Sequence, residues 1–561
     1  MSRLTRRGLF GAGAASLAAA CATTGTGAPK YEGTVAFKHG VASGDPTQDA
    51  VILWTRATPT TDGPVPVNWA ISPKGNSRDI IQSGYMVTGP ERDYTVKVDV
   101  TGLEPGKEYS YWFWTGQTVS GAGVTRTLPA TGLDDFRMAV VSCSNWPFGF
   151  FNVYREIAER NNVHAVIHLG DYIYEYGVNG YGGEIGKRLG RNHEPSHECL
   201  TLADYRTRYA QYRSDPDLQV AHAIAPWFCT WDDHESANNS YRSGAGNHQP
   251  ETEGDWTARK AQAVQAYLEW IPVRDPVPGR PRDAVFHKVD IGDLATLFLL
   301  ESRLIGRSDE ITYGEIGLAA PEDRARVAAE VKAKIEDPSR TMLGMEQEQW
   351  LAEALAESTR SGRRWQVLGN QVTMAKVTNP DLEKGLSADQ WAQVPPGSRR
   401  WYESGKYGLE WNPDAWAGFP AARERLYASA RSAGARIVTL TGDTHTAWGN
   451  DLHDKDGYLV GVEFGCTSVS SNGAGDSLPL EELNWLMTEA NDEVVYYNAF
   501  GRGFTLLTLS ADRVEGEFVR VSTVRTPEYY ASTDAVLVAS RSETGMRGLV
   551  RQKATREVVA G

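Results

Sequence analysis

Beyond about residue 135 the chain repeatedly carries short apolar runs that stop abruptly at acidic, amide, thiol or imidazole groups. Phe136-Arg-Met-Ala-Val-Val-Ser142 leads into Cys143-Ser-Asn145. His164-Ala-Val-Ile-His-Leu169 leads into Gly-Asp171-Tyr-Ile-Tyr174-Glu175. Phe228-Cys-Thr-Trp leads into Asp232-Asp233-His234-Glu235, with Asn238-Asn239 just beyond, and Ile437 to Leu440 leads into Thr-Gly-Asp443-Thr-His445. Short continuous apolar runs fit strands covered on both faces. Between them lie helical stretches, Phe151 to Asn161 and Gln347 to Ser358, and further strand candidates, Leu294 to Leu300 and Gln366 to Leu368. This alternation predicts an α/β domain with an internal sheet. Ligands of such sheets gather beyond the carboxyl ends of the strands. The polar run ends, although far apart in sequence, are therefore expected to meet in one crevice.

A different pattern precedes this domain. Ala50-Val-Ile-Leu-Trp-Thr55, Tyr94-Thr-Val-Lys-Val-Asp-Val100 and Tyr109-Ser-Tyr-Trp-Phe-Trp114 are short strands separated by turn residues, as in a small all-β sandwich. Leu103-x-Pro105-Gly106-x-x-Tyr109 resembles the tyrosine corner of immunoglobulin-like and fibronectin-like domains. The expected organisation is a targeting segment and linker over 1–30, a β-sandwich over 36–130, a catalytic domain over 135–520 and a C-terminal capping segment over 521–561. The loop-rich stretches 306–345 and 376–420 are expected to be insertions.

The targeting segment rests on Thr5-Arg6-Arg7-Gly8-Leu9-Phe10, a twin-arginine pattern followed by a small apolar run to Ala20. That run is too short to span a bilayer, and it predicts export by the Tat translocase to the periplasm, cell envelope or exterior. Leu17-Ala-Ala-Ala-Cys21 resembles a lipoprotein cleavage site, which makes Cys21 a candidate lipid anchor. Five cysteines (21, 143, 199, 229 and 466) form no dense framework, and at least one free thiol is expected. The formal charge of -14 excludes a general nucleic-acid-binding surface. If the substrate is anionic, positive charge must be local, and metal ions are one source.

The side chains at the run ends suit that chemistry. Asp171 follows a glycine at a strand end, so its carboxylate is free to project and bridge two cations. Asp443 and His445 stand at i and i+2, which places both on one face of an extended segment. Carboxylate, amide and carbonyl oxygens suit hard cations such as Ca²⁺, Mg²⁺ or Mn²⁺. A Cys thiolate and a Tyr phenolate suit Fe³⁺ or Zn²⁺, so the mixture points to a mixed-metal cluster. Taken singly each motif is unremarkable: a lone Asp after Gly is usually a turn residue, and a lone Cys a small buried hydrophobe.

Together, Ser142-Cys-Ser-Asn145, His168-Leu-Gly-Asp-Tyr-Ile-Tyr-Glu175, Trp231-Asp-Asp-His-Glu235 and Thr441-Gly-Asp-Thr-His445 resemble the PhoD-like alkaline phosphatase/phosphodiesterase family. His39-Gly-Val-Ala-Ser-Gly-Asp45 and Leu53-Trp-Thr-Arg56 extend the resemblance into the β domain, over about 36–550. It implies a metallophosphoesterase-like sandwich of β-sheets flanked by helices, acting on small phosphate monoesters and diesters. Cys143 and Tyr174 would then bind Fe³⁺, Asp171 would bridge it to Ca²⁺, and Asp443 and His445 would complete the cluster, with Mn²⁺ or Zn²⁺ as substitutes. Asp233 would be a ligand and His234 a phosphate-binding residue or general acid, with Asn145, Asn239 and Arg303 as weaker phosphate contacts. The sequence does not choose between Asp232 and Asp233, and Glu301-Ser-Arg303 departs from the expected Asp-Thr-Arg. The alternatives are a phospholipase-D-like diesterase of the same fold and, in another class, a non-catalytic exported binding protein.

Overall fold

The structure, a computed structural model, describes residues 26–542 and 545–552. The expected export signal and Cys21 lie outside the described residues. Two large sheets face each other. The seven-stranded sheet runs His287–Ile291, Ala295–Leu299, Trp365–Gly369, Ile437–Thr441, Leu459–Gly465, Ala447–His453 and Val494–Asn498. The ten-stranded sheet runs Met546–Gln552, Ala531–Arg541, Arg513–Val521, Arg502–Ser510, Asp135–Val141, Ala165–His168, Trp227–Cys229, Val41–Gly44, Ala50–Arg56 and Thr95–Thr101.

The apolar runs divide their side chains by strand periodicity. Met138, Val140, Ile167 and Phe228 point between the sheets, against Leu297, Val367, Leu440 and Phe464. Ala139, Val141 and Val166 point the other way, beneath Tyr154, Ile157 and Tyr209 of helices Asn152–Arg160 and Leu202–Arg213. On the far face, Phe298 and Ile437 are covered by Leu351, Leu355 and Leu426 of helices Met345–Arg360 and Pro420–Ala433. The result is four layers, helix–sheet–sheet–helix. Among the described residues no helix is long and apolar enough to cross a membrane.

The N-terminal strands form a sandwich of their own. Gly123–Arg126, Glu108–Thr115, Val65–Pro73 and Gln82–Thr88 pack across Val51, Leu53, Val67, Ile71, Val96, Tyr111 and Phe113 onto Ala50–Arg56 and Thr95–Thr101. The Tyr109 hydroxyl donates to Glu104 O at 3.2 Å and accepts from Glu104 N at 3.0 Å, closing the corner expected from the sequence. Tyr109→Phe removes both bonds, leaving Glu104 O with only the Thr127 hydroxyl at 2.6 Å. An expected cost of about 1–2 kcal/mol should lower the urea midpoint and leave turnover unchanged.

Two expectations about organisation change. The sandwich is not walled off at residue 130, because Val41–Gly44 runs parallel to Trp227–Cys229 through the Gly44–Trp227 pair, and one sheet crosses the junction. A Cβ at residue 44 would lie 2.2 Å from Pro272 O and 2.7 Å from Trp227 O, so only glycine permits the approach. Nor is 521–561 a cap in its described part. Ala531–Arg541 and Met546–Gln552 extend the ten-stranded sheet, and Ala535, Leu537 and Ala539 alternate into the inter-sheet core. Only the stretch 522–530 stays off the sheet, with Arg525 reaching Asn472 at 2.5 Å. The expected insertions hold short helices, among them Gly314–Leu318, Arg324–Ile335 and Ala388–Gln393.

Candidate active site

The polar run ends do converge, and they do so through strained turns. Among the described residues nine non-glycine residues adopt positive φ, and five of them are Cys143 (62°), Asp171 (57°), Asn239 (53°), Asp443 (62°) and His445 (58°). Each such residue costs on the order of 1–3 kcal/mol and persists only where its surroundings fix it. Here the loops fix one another. Cys143 N donates to Gly170 O at 3.2 Å and Ser144 N to Asp171 O at 2.8 Å. The Glu235 carboxylate accepts from Asp171 N at 3.0 Å, Tyr172 N at 2.6 Å and Asp232 N at 2.9 Å, tying two loops together. Gly170 has φ 101°, and a Cβ there would sit 2.2 Å from Asp232 N, so a side chain would push those loops apart.

Two donor groups share one carboxylate. Cys143 Sγ, an Asp171 oxygen and a His445 ring nitrogen lie within 4.8 Å of one another, as do donor atoms of Asp171, Asp233 and His234. Tyr174 joins the first group, with its hydroxyl 3.0 Å from Asp171 Oδ2 and 3.0 Å from His445 Nε2 while accepting from Ser471 Oγ at 2.8 Å. Asp171 Oδ1 and Asp233 Oδ1 are buried and have no hydrogen-bond partner. Unpartnered buried carboxylate oxygens are costly and fit cation ligation. The set offers thiol, phenol, imidazole and carboxylate donors, which suits a transition metal beside a harder cation.

The electrostatics agree with that fit. Burial, and next the Asp171 charge, push the Cys143 thiol and the Tyr174 phenol well above their usual ranges. Burial raises Asp171 and Asp443 likewise and lowers His445 to about 3, which keeps its imidazole neutral and able to ligate. Asp171 and Asp443 are thus short of positive charge, the deficit that a bound cation removes.

A cavity of about 240 Å³ opens over these groups, lined by Asp171, Asp233, His234, Asn238, Asn239, Asp443 and His445 and rimmed by Tyr176 and Tyr181. His234 Nδ1 is held by Glu175 Oε2 at 2.7 Å, and its ring stacks on Tyr174 with centroids 4.1 Å apart. Burial works against the His234 charge, but Asp233, Glu175 and Asp171 together hold its proton well above the usual histidine range. Asn239 donates its amide N–H to Asp233 Oδ2 at 2.6 Å, and its Nδ2 is held by Glu310 at 2.5 Å.

Several residues sit differently from the sequence expectation. Asp233 faces the cavity, whereas Asp232 is bonded to Arg303 Nε beneath it. Asp443 and His445 are not in an extended segment: both have left-handed backbone, and Thr444 N bonds back to Gly442 O at 2.7 Å. They line the cavity together because a tight turn projects them. Asp443 stands outside both donor groups, its Oδ1 3.8 Å from Arg303 Nη2 and its Oδ2 3.5 Å from Asn412 Nδ2. Asn145 is buried with both side-chain polar atoms unpartnered and does not line the cavity. Arg303, expected as a weaker phosphate contact, does not line the cavity and is fully buried among Asp232, Asp233, Asp414 and Asp443. Sequence reasoning passed over Glu175, Tyr176 and Tyr181, although the dense Tyr174-Glu175-Tyr176 cluster was a signal for the first two.

Residues 138–518 match the model of the PhoD-like phosphatase family, and 20–129 match that of the PhoD-like phosphatase N-terminal domain. A curated relative, alkaline phosphatase D of Bacillus subtilis (strain 168), is 35% identical over 526 residues, 91% of this chain and 82% of that protein. A solved structure of PhoD superposes with a TM-score of 0.76 at 32% identity, covering 95% of each chain. The layered α/β fold is therefore that of a phosphoric ester hydrolase. All four described cysteines, 143, 199, 229 and 466, are buried and free, so no disulfide among them contributes to this fold. The chain belongs to the PhoD-like phosphatase family.

Proposed function

We propose that this chain is an exported, metal-dependent hydrolase of phosphate monoesters and diesters. The observation that carries the reading is Asp171, shared by two donor groups with one buried oxygen unpartnered. Cys143, Tyr174, Asp171 and His445 would hold Fe³⁺, and Asp171, Asp233 and Asp443 would face Ca²⁺, with Mn²⁺ or Zn²⁺ as substitutes. Such ions, when bound, supply Lewis-acid charge against phosphoryl oxygens and water. The chain's own residues do the rest. Glu175 fixes the His234 ring through Nδ1–H, and because the surrounding carboxylates keep the ring protonated, Nε2–H is also present to donate to a phosphoryl or leaving oxygen. Asn239, anchored by Glu310 and Asp233, is the second polar group on that wall. The aromatic rim of Tyr176 and Tyr181 limits water and contacts the ester group.

A substrate panel of p-nitrophenyl phosphate, its bis ester and phosphatidylcholine, run with elemental analysis of protein purified without chelator, tests this reading. Metal-containing protein active on the first two substrates is expected. Preferential turnover of the lipid would favour a phospholipase-D-like enzyme, and metal-free, inert protein a binding role. Tyr174→Phe should remove a visible phenolate-to-iron absorption band. A colourless wild type that is fully active would exclude Tyr174 as an iron ligand. Export by the Tat route and lipidation at Cys21 belong to the same proposal, and cell fractionation of the Arg6→Lys/Arg7→Lys and Cys21→Ser variants tests them.

A further inference from the structure

At the opposite end of the parallel strands from the active site, the β-sandwich and the layered domain enclose a second cavity of about 140 Å³. The sandwich contributes Lys74, Glu108, Thr125 and Arg126, and the layered domain Arg137 and His164. Three fixed cations face two carboxylates. Glu108 is engaged by Lys74 at 3.1 Å and by Arg126 at 2.5 Å, and the partly exposed Asp135 lies 3.4 Å from Arg137 Nε. This local excess of positive charge stands out on a chain of net charge -14.

The hydrogen-bond geometry is more telling than the charge. The backbone N–H of Arg137 donates to His164 Nδ1 at 3.2 Å, so Nδ1 is an acceptor and the neutral ring carries its proton on Nε2. Burial, with Arg126 and Arg137 adding to it, lowers His164 to about 4, so the ring is neutral at pH 7. Arg137 Nη2 lies 3.4 Å from His164 Nε2. Two N–H donors thus face each other at that distance, and neither serves as acceptor for the other. The buried Thr125 hydroxyl also lacks a hydrogen-bond partner, and Arg137 Nε has only the ion-pair contact with the partly exposed Asp135. The facing Arg137 Nη2 and His164 Nε2 donors, with the Thr125 hydroxyl beside them, form a site for an oxyanion, whose oxygens accept from several donors at once.

We propose that this junction is a second, non-catalytic site for a tetrahedral oxyanion such as phosphate or sulfate, bound between Arg137, His164 and Arg126. Bound there, the ion bridges both parts of the molecule and braces the sandwich against the layered domain. The cavity accommodates a free ion or a compact phosphoryl group, and the free ion is the occupant its volume favours.

The test uses the full chain. Crystals grown without sulfate or phosphate and soaked in selenate should show an anomalous peak within hydrogen-bonding distance of Arg137 Nη2 and His164 Nε2. In solution, sulfate at matched ionic strength should raise the melting temperature of wild type more than chloride does. Arg137→Gln, which keeps the side chain's bulk, should weaken that sulfate dependence by about tenfold, as expected for loss of one charge-assisted bond. Turnover of p-nitrophenyl phosphate should stay at the wild-type level. His164→Phe, which removes the ring donor, should weaken the dependence in the same direction. Selenate found only at the active site, or unchanged sulfate dependence in Arg137→Gln, overturns the proposal. Glycerol phosphate competing more than tenfold better than sulfate overturns the free-ion assignment.

Discussion

Asp171→Ala should reduce turnover of both p-nitrophenyl phosphate and its bis ester by on the order of 10³-fold or more, at least the loss seen when one preorganised transition-state contact is removed. Asp171 belongs to both donor groups, so its loss affects both at once. Its Oδ2 also accepts from Tyr174, and without it the Tyr174 hydroxyl keeps only His445 and Ser471. Metal content should fall with activity. Asp171→Asn retains shape and one acceptor oxygen but not the charge, so it separates geometry from electrostatics, and it should also be severely impaired. The near-UV spectrum should be preserved in both, because the loop is held through backbone bonds to Glu235 that neither change touches. Wild-type turnover in Asp171→Ala would remove the shared carboxylate from the proposal.

The second large effect concerns Arg303. Its guanidinium is fully buried, is bonded to Asp232 and reaches both oxygens of Asp414, at 2.9 and 2.7 Å, with Asp233 and Asp443 each 3.8 Å away. Arg303→Met fills most of the volume and removes the charge, so the buried Asp232 and Asp443 lose this counter-charge while Asp414 keeps Arg307 at 2.5 Å. Breaking a buried pair from one side costs about 3–5 kcal/mol, which for this chain should appear as a marked drop in the urea midpoint. Arg303→Lys should rescue little, since an ammonium cannot span Asp232 and Asp414 in the plane a guanidinium offers. Activity should fall as well, because Asp233 and Asp443 share this cation with the floor of the cavity. An unchanged midpoint in Arg303→Met would mean that the carboxylates find other partners.

The strand ends were legible because strands buried on both faces leave unbroken apolar runs, and the residue where a run stops marks the carboxyl edge. Cys143, Asp171, the Asp232-Asp233 pair and His445 were placed at strand ends by that rule, which did not choose between the two aspartates. The turn that brings Asp443 and His445 together was not legible, since i and i+2 spacing means one thing in a strand and another in left-handed backbone. The buried ion pairs of Arg303 were not legible because its carboxylate partners lie 71 and 111 residues away. Likewise, the Gly44–Trp227 pair that carries one sheet across the junction depends on a close approach no local pattern encodes. The C-terminal strands did carry a local signal, the alternation of Ala535, Leu537 and Ala539, which is weaker than the long apolar runs earlier in the chain.

The strand order of the large sheet also dictates when the protein can finish folding. Asp135–Val141 lies between Ala165–His168, made soon after it, and Arg502–Ser510, with Asp135 opposite Ser510. Until the ribosome has released that late strand, one edge of Asp135–Val141 has no partner. Such distant pairing slows folding, and a waiting apolar edge invites association with other chains. Nascent chains truncated before residue 500 should therefore remain protease-sensitive through the layered domain, and this edge is where a chaperone would be needed.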